Sequence, residues 1–372
     1  MSVEFLGFLA AHDAQEIRGR TTSPVDRGYV RELARVQDEG GFDRVLIGNG
    51  SAMADGAQLA AWAAAHTERL GFLIAHRPGF VAPTVFARTI ATLDNLSGGR
   101  TAVHLITGGS EADQRRDGDW LAKEQRYART REFAEIVKRV WTERGEVTYT
   151  GEHYRVEGVD VDVHPVQQPR PKLYFAGSSP AGIDAGVRVA DAFAFYGEPL
   201  AQTREQIARI RAAASEAGRT EPLGFTVSVR PIIAPTDEQA WEKAEDIANR
   251  IRARVHGGSW DRVRLRSVTD KTQNNEGSER LRRVNASATK LDRAYWTGTS
   301  RATNASGISS ALVGSPETVA QAVADYTELG VRSFLFKGWD LVEDARDYGR
   351  YLLPAIKDVL ADRGLTQERE VS

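Results

Sequence analysis

The side chains of this chain that could do chemistry sit just after short apolar runs. His12, Asn49-Gly50-Ser51, His76-Arg77, Thr107-Gly108-Gly109, Gly177-Ser178-Ser179, Tyr196-Gly197-Glu198, Arg230 and Lys337-Gly338-Trp339-Asp340 each follow one, and His104 lies inside one. The most pointed segment is Tyr174-Phe175-Ala176-Gly177-Ser178-Ser179-Pro180, small residues with free amides and hydroxyls where a helix begins. The first helical N–H groups have no internal partner and the helix dipole is positive there, so such a spot can hold an anion. Helix capping by Ser178 or Ser179 explains the same residues, and both readings stand at this level. Arg230 could give two parallel hydrogen bonds to an oxyanion, or could serve an internal ion pair. His12 and His104 are of the type that moves protons near neutrality, though His104, in an apolar run, reads equally as a hydrogen-bonded core histidine. Arg77 reads as a partner for a carboxylate.

Several chemistries are excluded. The chain has no cysteine, which removes disulfides, thiolate nucleophiles, Cys-ligated zinc and iron–sulfur clusters. Its seven histidines are scattered without the His-Glu-x-x-His spacing of a helical zinc site, so no metal is expected. No Gly-x-Ser-x-Gly elbow supports a serine hydrolase. A net charge of -2 gives no global electrostatic case for nucleic acid or membrane. The local clusters Arg115-Arg116 and Arg280 with Arg282-Arg283 read as solvated surface. With no basic leader ahead of an apolar stretch and no run near the ~20 apolar residues of a membrane helix, a soluble cytoplasmic protein is expected.

The elements that must position these residues alternate along the chain. Strands are expected at Phe5 to Ala10, Arg44 to Ile47, Leu70 to Ala75, Thr101 to Ile106, Lys172 to Ala176, Ala192 to Tyr196, Phe225 to Ile233 and Ser333 to Phe336. Amphipathic stretches follow each, among them Tyr29 to Glu39, Pro83 to Leu96, Tyr127 to Thr142, Gln202 to Ala217 and a closing Ala345 to Leu360. Eight βα units are the number that closes a parallel barrel, so the fold class is α/β, a (β/α)8 TIM barrel, and residues 1–372 read as one domain. An open doubly wound sheet is the competitor, but no Gly-x-Gly-x-x-Gly follows the first strand. Two insertions are expected: an antiparallel hairpin near 146–163, and a loop near 256–315 without clear period, read as a lid. In a barrel, function collects at the carboxyl ends of the strands, where the residues named first all fall.

Ordered blocks along the chain carry a resemblance. They are Arg77-Pro78-Gly79 with Pro83-Thr84-Val85, Ala91 to Arg100, Leu105-Ile106-Thr107-Gly108-Gly109 and Arg126-Tyr127. Tyr174 to Pro180, Tyr196-Gly197-Glu198-Pro199, Ala311 to Pro316 and Gly338-Trp339 continue them. Over nearly its whole length the chain resembles the FMNH2-dependent alkanesulfonate monooxygenases of the bacterial luciferase-like superfamily. The resemblance implies a two-component enzyme: reduced FMN, supplied by a separate flavin reductase that docks transiently, and O2 cleave the C–S bond of an organosulfonate to an aldehyde and sulfite. It implies that Gly177, Ser178 and Ser179 hold the FMN phosphate with help from Tyr127 and Arg126, and that the ring lies near His12, Ala75 and Thr107 at the end of the fourth strand. It also implies a homodimer or homotetramer.

The departures fall at the substrate end. His104 stands where the sulfonate enzymes carry asparagine, Met53 where they carry cysteine, and Arg230 where a histidine closes an Arg-x-His. Tyr196 replaces a tryptophan, Trp339 a tyrosine, and Arg301 is the nearest match to the lid arginine. Arg230, His12, His104 and Trp339 are therefore the expected catalytic set, and Tyr196, Met53, Arg301 and Asp340 the expected substrate contacts, for a small anionic molecule of the larger, polar sulfonate kind such as a sulfo-sugar. Other superfamily chemistries are the alternatives: pyrimidine-type amide or sulfone oxygenation, deazaflavin-dependent dehydrogenation, or flavin binding without turnover.

Overall fold

The computed structural model describes residues 3–13, 17–19, 23–256, 276–306 and 309–366. Its strands are β1 (Glu4–Leu9), β2 (Arg44–Ile47), β3 (Gly71–His76), β4 (Thr101–Leu105), β5 (Val147–Thr150), β6 (Arg155–Val159) and β7 (Lys172–Ala176). They continue as β8 (Ala192–Tyr196), β9 (Gly224–Ile233), β10 (Lys290–Leu291), β11 (Tyr295–Trp296), β12 (Ala311–Gly314) and β13 (Ser333–Phe336). Eight of them close a parallel barrel in the order β9-β13-β1-β2-β3-β4-β7-β8, with β8 pairing back onto β9. The fold is the α/β TIM barrel expected.

Local chemistry sets the element ends. The helix Arg27–Glu39 starts at Asp26, whose carboxylate accepts from the Tyr29 amide at 3.0 Å. The helix Pro83–Ser97 opens on proline, whose missing N–H costs nothing there, and stops at Gly98 with φ 67°. β3 and β4 are buried at every residue, as strands covered on both faces must be.

The chain packs as two compact units. One comprises Leu46–Ala194 and Ile210–Leu223. In it His76 turns away from the barrel axis and stacks on Phe86 at 3.8 Å and Phe133 at 5.1 Å, ring centre to ring centre. The buried Asp94 carboxylate takes the Thr101 hydroxyl and the Gln167 amide, each at 2.6 Å, so the Asp94 to Arg100 block is a structural latch. Arg100 completes it by donating to the carbonyls of Ala64, Leu70 and Ser97. The expected hairpin is present as β5–β6, and Glu132 holds its turn by accepting the amides of Glu152, His153 and Tyr154.

The other unit comprises Met1–Val45, Phe195–Arg209 and Gly224–Ser372. Its long β9 pairs with β13 over Thr226–Val229 and with β12 over Arg230–Ile233, so Arg230 marks the place where one neighbour replaces the other. Antiparallel β10 and β11 extend the sheet beyond β12. Ile232, Ile247, Trp296, Val313 and Trp339 form the core beneath this extension.

Three expectations are corrected here. Residues 257–275 and 307–308 of the expected lid lie outside the described residues, but the described part of 256–315 is not a structureless loop. It holds the helix Glu276–Ser287, β10, β11, the short helix Gly298–Ala302 and β12. Its polar composition hid the pattern because the helix Glu276–Ser287 buries Ser278 and Arg280 beside Leu281 and Val284. Arg280, read as surface charge, is therefore interior. The closing helix begins earlier, at Leu341, and carries a wider π-helical turn at Tyr348–Leu352 ahead of the helix Leu353–Asp362. Pro354 lacks the amide that would continue an ordinary ladder, which fits a break there.

Candidate active site

The residues expected to hold a phosphate come together. β7 ends at Ala176, and Ser179 caps the helix Pro180–Val189, its hydroxyl accepting from the Gly182 amide at 3.2 Å. Tyr127, on the helix Lys123–Thr142, is buried and brings its hydroxyl to 3.5 Å from the Ser179 hydroxyl. Glycine is required for this approach: a Cβ at Gly182 would lie 2.8 Å from the Tyr127 hydroxyl and one at Gly177 3.3 Å from it. A phenol, a hydroxyl and a helix N-terminus thus meet over two bare backbone positions. Ser179 caps the helix, and the dipole and tyrosine make the same spot fit an anion.

Arg126 does other work. Buried, it donates to the carbonyls of Thr107 at 3.1 Å and Leu121 at 2.6 Å, and pairs with Glu111 at 2.7 Å. Its hydrogen bond holds the Glu111 carboxyl below the usual range. It fixes the loop after β4, Thr107 included, rather than reaching toward Ser178 or Ser179.

His104 sits level with Ala75 of β3 on one side and Tyr174 of β7 on the other. Because His76, one residue beyond Ala75, points out to the helices, Ala75 and His104 point to the barrel interior. Burial pulls the His104 imidazole down to about 4, so it is neutral at physiological pH, and its buried Nδ1 has no partner among the described residues. An orphaned ring nitrogen beside an alanine is an observation that fits a flat polar ring system, since buried polar atoms are normally satisfied. Burial likewise pulls His76 down to about 3, assisted by Arg77.

In the other unit, Arg230 is fully buried, donating from Nε to the Lys337 carbonyl at 3.2 Å and from Nη2 to the Gly338 carbonyl at 2.6 Å. Its guanidinium carbon lies 3.2 Å from the centre of the Trp339 ring. The Trp339 amide is fixed on the Asp344 carboxylate at 2.6 Å, and its buried Nε1 has no partner among the described residues. Lys337 places its ammonium 4.9 Å over the Phe8 ring. Asp340 caps the helix Leu341–Asp347 and pairs with Arg18 at 3.0 Å, and His12 Nδ1 lies 2.8 Å from the Pro24 carbonyl. Tyr196 ends β8, its phenol pushed up by burial. Arg301 is exposed and donates to the Asn285 carbonyl, tying one short helix to another. Met53 is 52% exposed.

Sequence reasoning missed one group entirely. Arg280 forms a two-pronged bridge to the fully buried Glu198, Nε to Oε1 and Nη2 to Oε2, both at 2.8 Å. The Glu198 carbonyl takes the Tyr326 hydroxyl at 2.6 Å, and the Gly197 carbonyl takes the hydroxyls of Tyr295 and Ser310 at 3.1 and 2.5 Å. The turn after Tyr196 is therefore clamped from four elements. A glutamate between glycine and proline at a strand end was the available signal, but its partner lies 82 residues away. Among the described residues, no three His, Asp or Glu side chains converge on a metal site, and no helix is long and apolar enough to cross a membrane.

The barrel is similar to riboflavin lyase RcaE, solved with modified FMN and riboflavin, at a TM-score of 0.78 and 20% identity over 99% of this chain and 93% of that one. It is similar to DmoA from Hyphomicrobium sulfonivorans (TM-score 0.74, 20% identity, 99% and 90% covered). It is similar also to the EDTA monooxygenase EmoA from Chelativorans sp. BNC1 (TM-score 0.74, 18% identity, 100% and 96% covered). At these identities the likeness establishes the fold. The family model of the luciferase-like monooxygenases matches residues 4–333, nearly the whole barrel with its insertions. The chain belongs to the luciferase-like monooxygenase family.

Proposed function

We propose that this enzyme is an FMNH2-dependent monooxygenase of organosulfonates, fed with reduced FMN by a separate reductase. The observation that carries the cofactor reading is the cradle at Tyr127, Gly177, Ser179 and Gly182, where two glycines clear space beneath a buried phenol at a helix N-terminus. Phosphate suits it because the amides and dipole favour a dianion. Tyr127, Gly177, Ser179 and Gly182 would hold the phosphate of reduced FMN, which would supply the two electrons needed for O2 to give one atom to the aldehyde and one to water as the C–S bond breaks to sulfite.

The chain's own groups bind and orient. Arg230 lies within β9, just past the last pairing of β9 with β13, and Lys337 follows the end of β13, so two cationic residues stand at the carboxyl end of β13. A guanidinium can give parallel hydrogen bonds to the oxygens of an anionic head group, which is the role proposed for Arg230. Trp339 backs the guanidinium and keeps it planar against the strand end, with Tyr196 as a further wall. His104, neutral and with an unpaired Nδ1 among the described residues, would face a bound flavin ring and offer it a hydrogen-bonding position without adding charge.

Sulfite release and oxygen uptake, measured with reduced FMN across short alkanesulfonates, taurine-like compounds and sulfoquinovose, test the proposal. Stoichiometric sulfite with at least one of them supports it. Substrate-dependent oxygen uptake without sulfite would assign another oxygenation, and no uptake with any organic anion would remove the monooxygenase reading.

A further inference from the structure

Arg77 is 5% exposed, and its guanidinium reaches the connections that follow β2 and β4. Nε donates to Asn49 Oδ1 at 2.8 Å, after β2; Nη1 meets Asp113 Oδ2 at 3.0 Å, on the short helix Glu111–Arg116 that follows β4, and Nη2 meets Asp117 at the end of that helix. The Phe80 ring packs on the guanidinium face at 4.6 Å. Asp113 is the hub of a second set of bonds, since its Oδ1 accepts from the Ser51 hydroxyl at 2.5 Å and amide at 3.3 Å. One cation thus fastens three loops through two carboxylates of one short segment.

We infer that Arg77 is a positioning residue: its charge holds Asp113 and Asp117 side by side and so sets the shape of the entrance lined by the loops after β2 and β4, while leaving the flavin cradle untouched. The inference rests on the reading that the loop carrying Ser51 and Met53 borders the organic substrate. The cradle's own groups lie on other elements than the clasp, the link between them being the Arg126–Glu111 pair. Tyr127 and Ser179 belong to the helices Lys123–Thr142 and Pro180–Val189, and Thr107 is held by Arg126. Without Arg77, two carboxylates four residues apart lose their shared counter-ion, with Arg116 at 3.6 Å from Asp113 Oδ1 a partial substitute. Like charges at that spacing repel, and the loop opens. A lysine cannot replace the fork, because a single ammonium cannot reach three acceptors in one plane.

The test compares the full-length wild type with Arg77→Met and with Arg77→Met/Asp113→Asn/Asp117→Asn. Hydrogen exchange of residues 107–121 and 49–53 reads the clasp directly, and anaerobic titration with reduced FMN reads the cradle. In Arg77→Met, exchange of both loops is expected to rise about tenfold or more. The triple variant, which removes the repulsion with the counter-ion, is expected to fall back to within about threefold of wild type. Affinity for reduced FMN is expected to stay within about threefold in both variants. With any sulfonate that releases sulfite, KM rises about tenfold while kcat holds within about threefold.

Unchanged loop exchange in Arg77→Met, no recovery in the triple variant, or a loss of flavin affinity as large as the loss of substrate would each overturn the inference. If Arg77→Met does not fold, Arg77→Lys carries the test: faster exchange of 107–121 supports the clasp, and unchanged exchange overturns it. Absence of sulfite from every sulfonate removes the substrate reading but leaves the exchange and flavin measurements to decide the clasp.

Discussion

At the start of the helix Pro180–Val189 the working parts are backbone amides, a serine, two glycines and a buried tyrosine. Around Arg230 and Glu198 they are charges and aromatic rings with no water to share. The first region offers what every helix start provides, free amides and a positive dipole end, and the binding proposed for it needs only that nothing stands in the way. The second depends on pairs matched across long stretches of chain, so each member is costly to lose alone. The difference teaches where to expect tolerance: small changes at the cradle affect affinity, whereas single changes among the buried charges affect the fold or the substrate.

The largest expected effect breaks that second region. Arg280→Met leaves Glu198 buried without its cation and is expected to cost about 3–5 kcal/mol in a urea melt. Adding Glu198→Leu should recover part of it, and a full additive loss would mean the pair is not coupled. Next, Arg230→Met is expected to raise the sulfonate KM about a hundredfold, roughly 2.7 kcal/mol, with reduced FMN affinity little changed. Equal losses of both would assign Arg230 to the flavin instead. At the cradle, Gly182→Ala pushes a methyl to 2.8 Å from the Tyr127 hydroxyl, and a loss of about tenfold in affinity for reduced FMN is expected. Anaerobic fluorescence titration checks it.

The smallest effect concerns acid. His104 and His76 have folded values of about 4 and about 3, below the ordinary 6.5. Below 6.5 the unfolded chain takes up protons that the folded one refuses. The stability conferred by the neutral rings is complete above 6.5 and is lost as pH falls toward 4 and then 3. His104→Asn should flatten the acid limb between pH 6 and 4 by at most about 1.4 kcal/mol per pH unit in denaturant melts. An unchanged limb would show that His104 protonates in the folded state.

Much of the barrel was legible because periodicity and punctuation agreed. Fully apolar runs such as Phe72 to Ala75 and the Gly98-Gly99 stop leave little choice of element. β12 and the helix Glu276–Ser287 were not legible. Four residues, Ala311–Gly314, are too few to declare a period, and the buried face of that helix includes an arginine. The cradle could be read because its parts are neighbours in sequence, Tyr127 excepted, and the resemblance supplied that one. The Arg280–Glu198 bridge and the Arg77 clasp are invisible to spacing, since their partners lie 82, 36 and 40 residues apart. An arginine on a polar stretch looks solvated until its acceptor is located.

Ser179→Asp separates the two uses of the cradle and tests the central claim most directly. Aspartate caps a helix as well as serine does, so the melting temperature should hold, while its carboxylate repels a phosphate. Anaerobic titration with reduced FMN is expected to show one saturable site in the wild type and binding weakened by about a hundredfold or more in Ser179→Asp. Equal binding by a stably folded Ser179→Asp, or no binding by the wild type, would contradict the account.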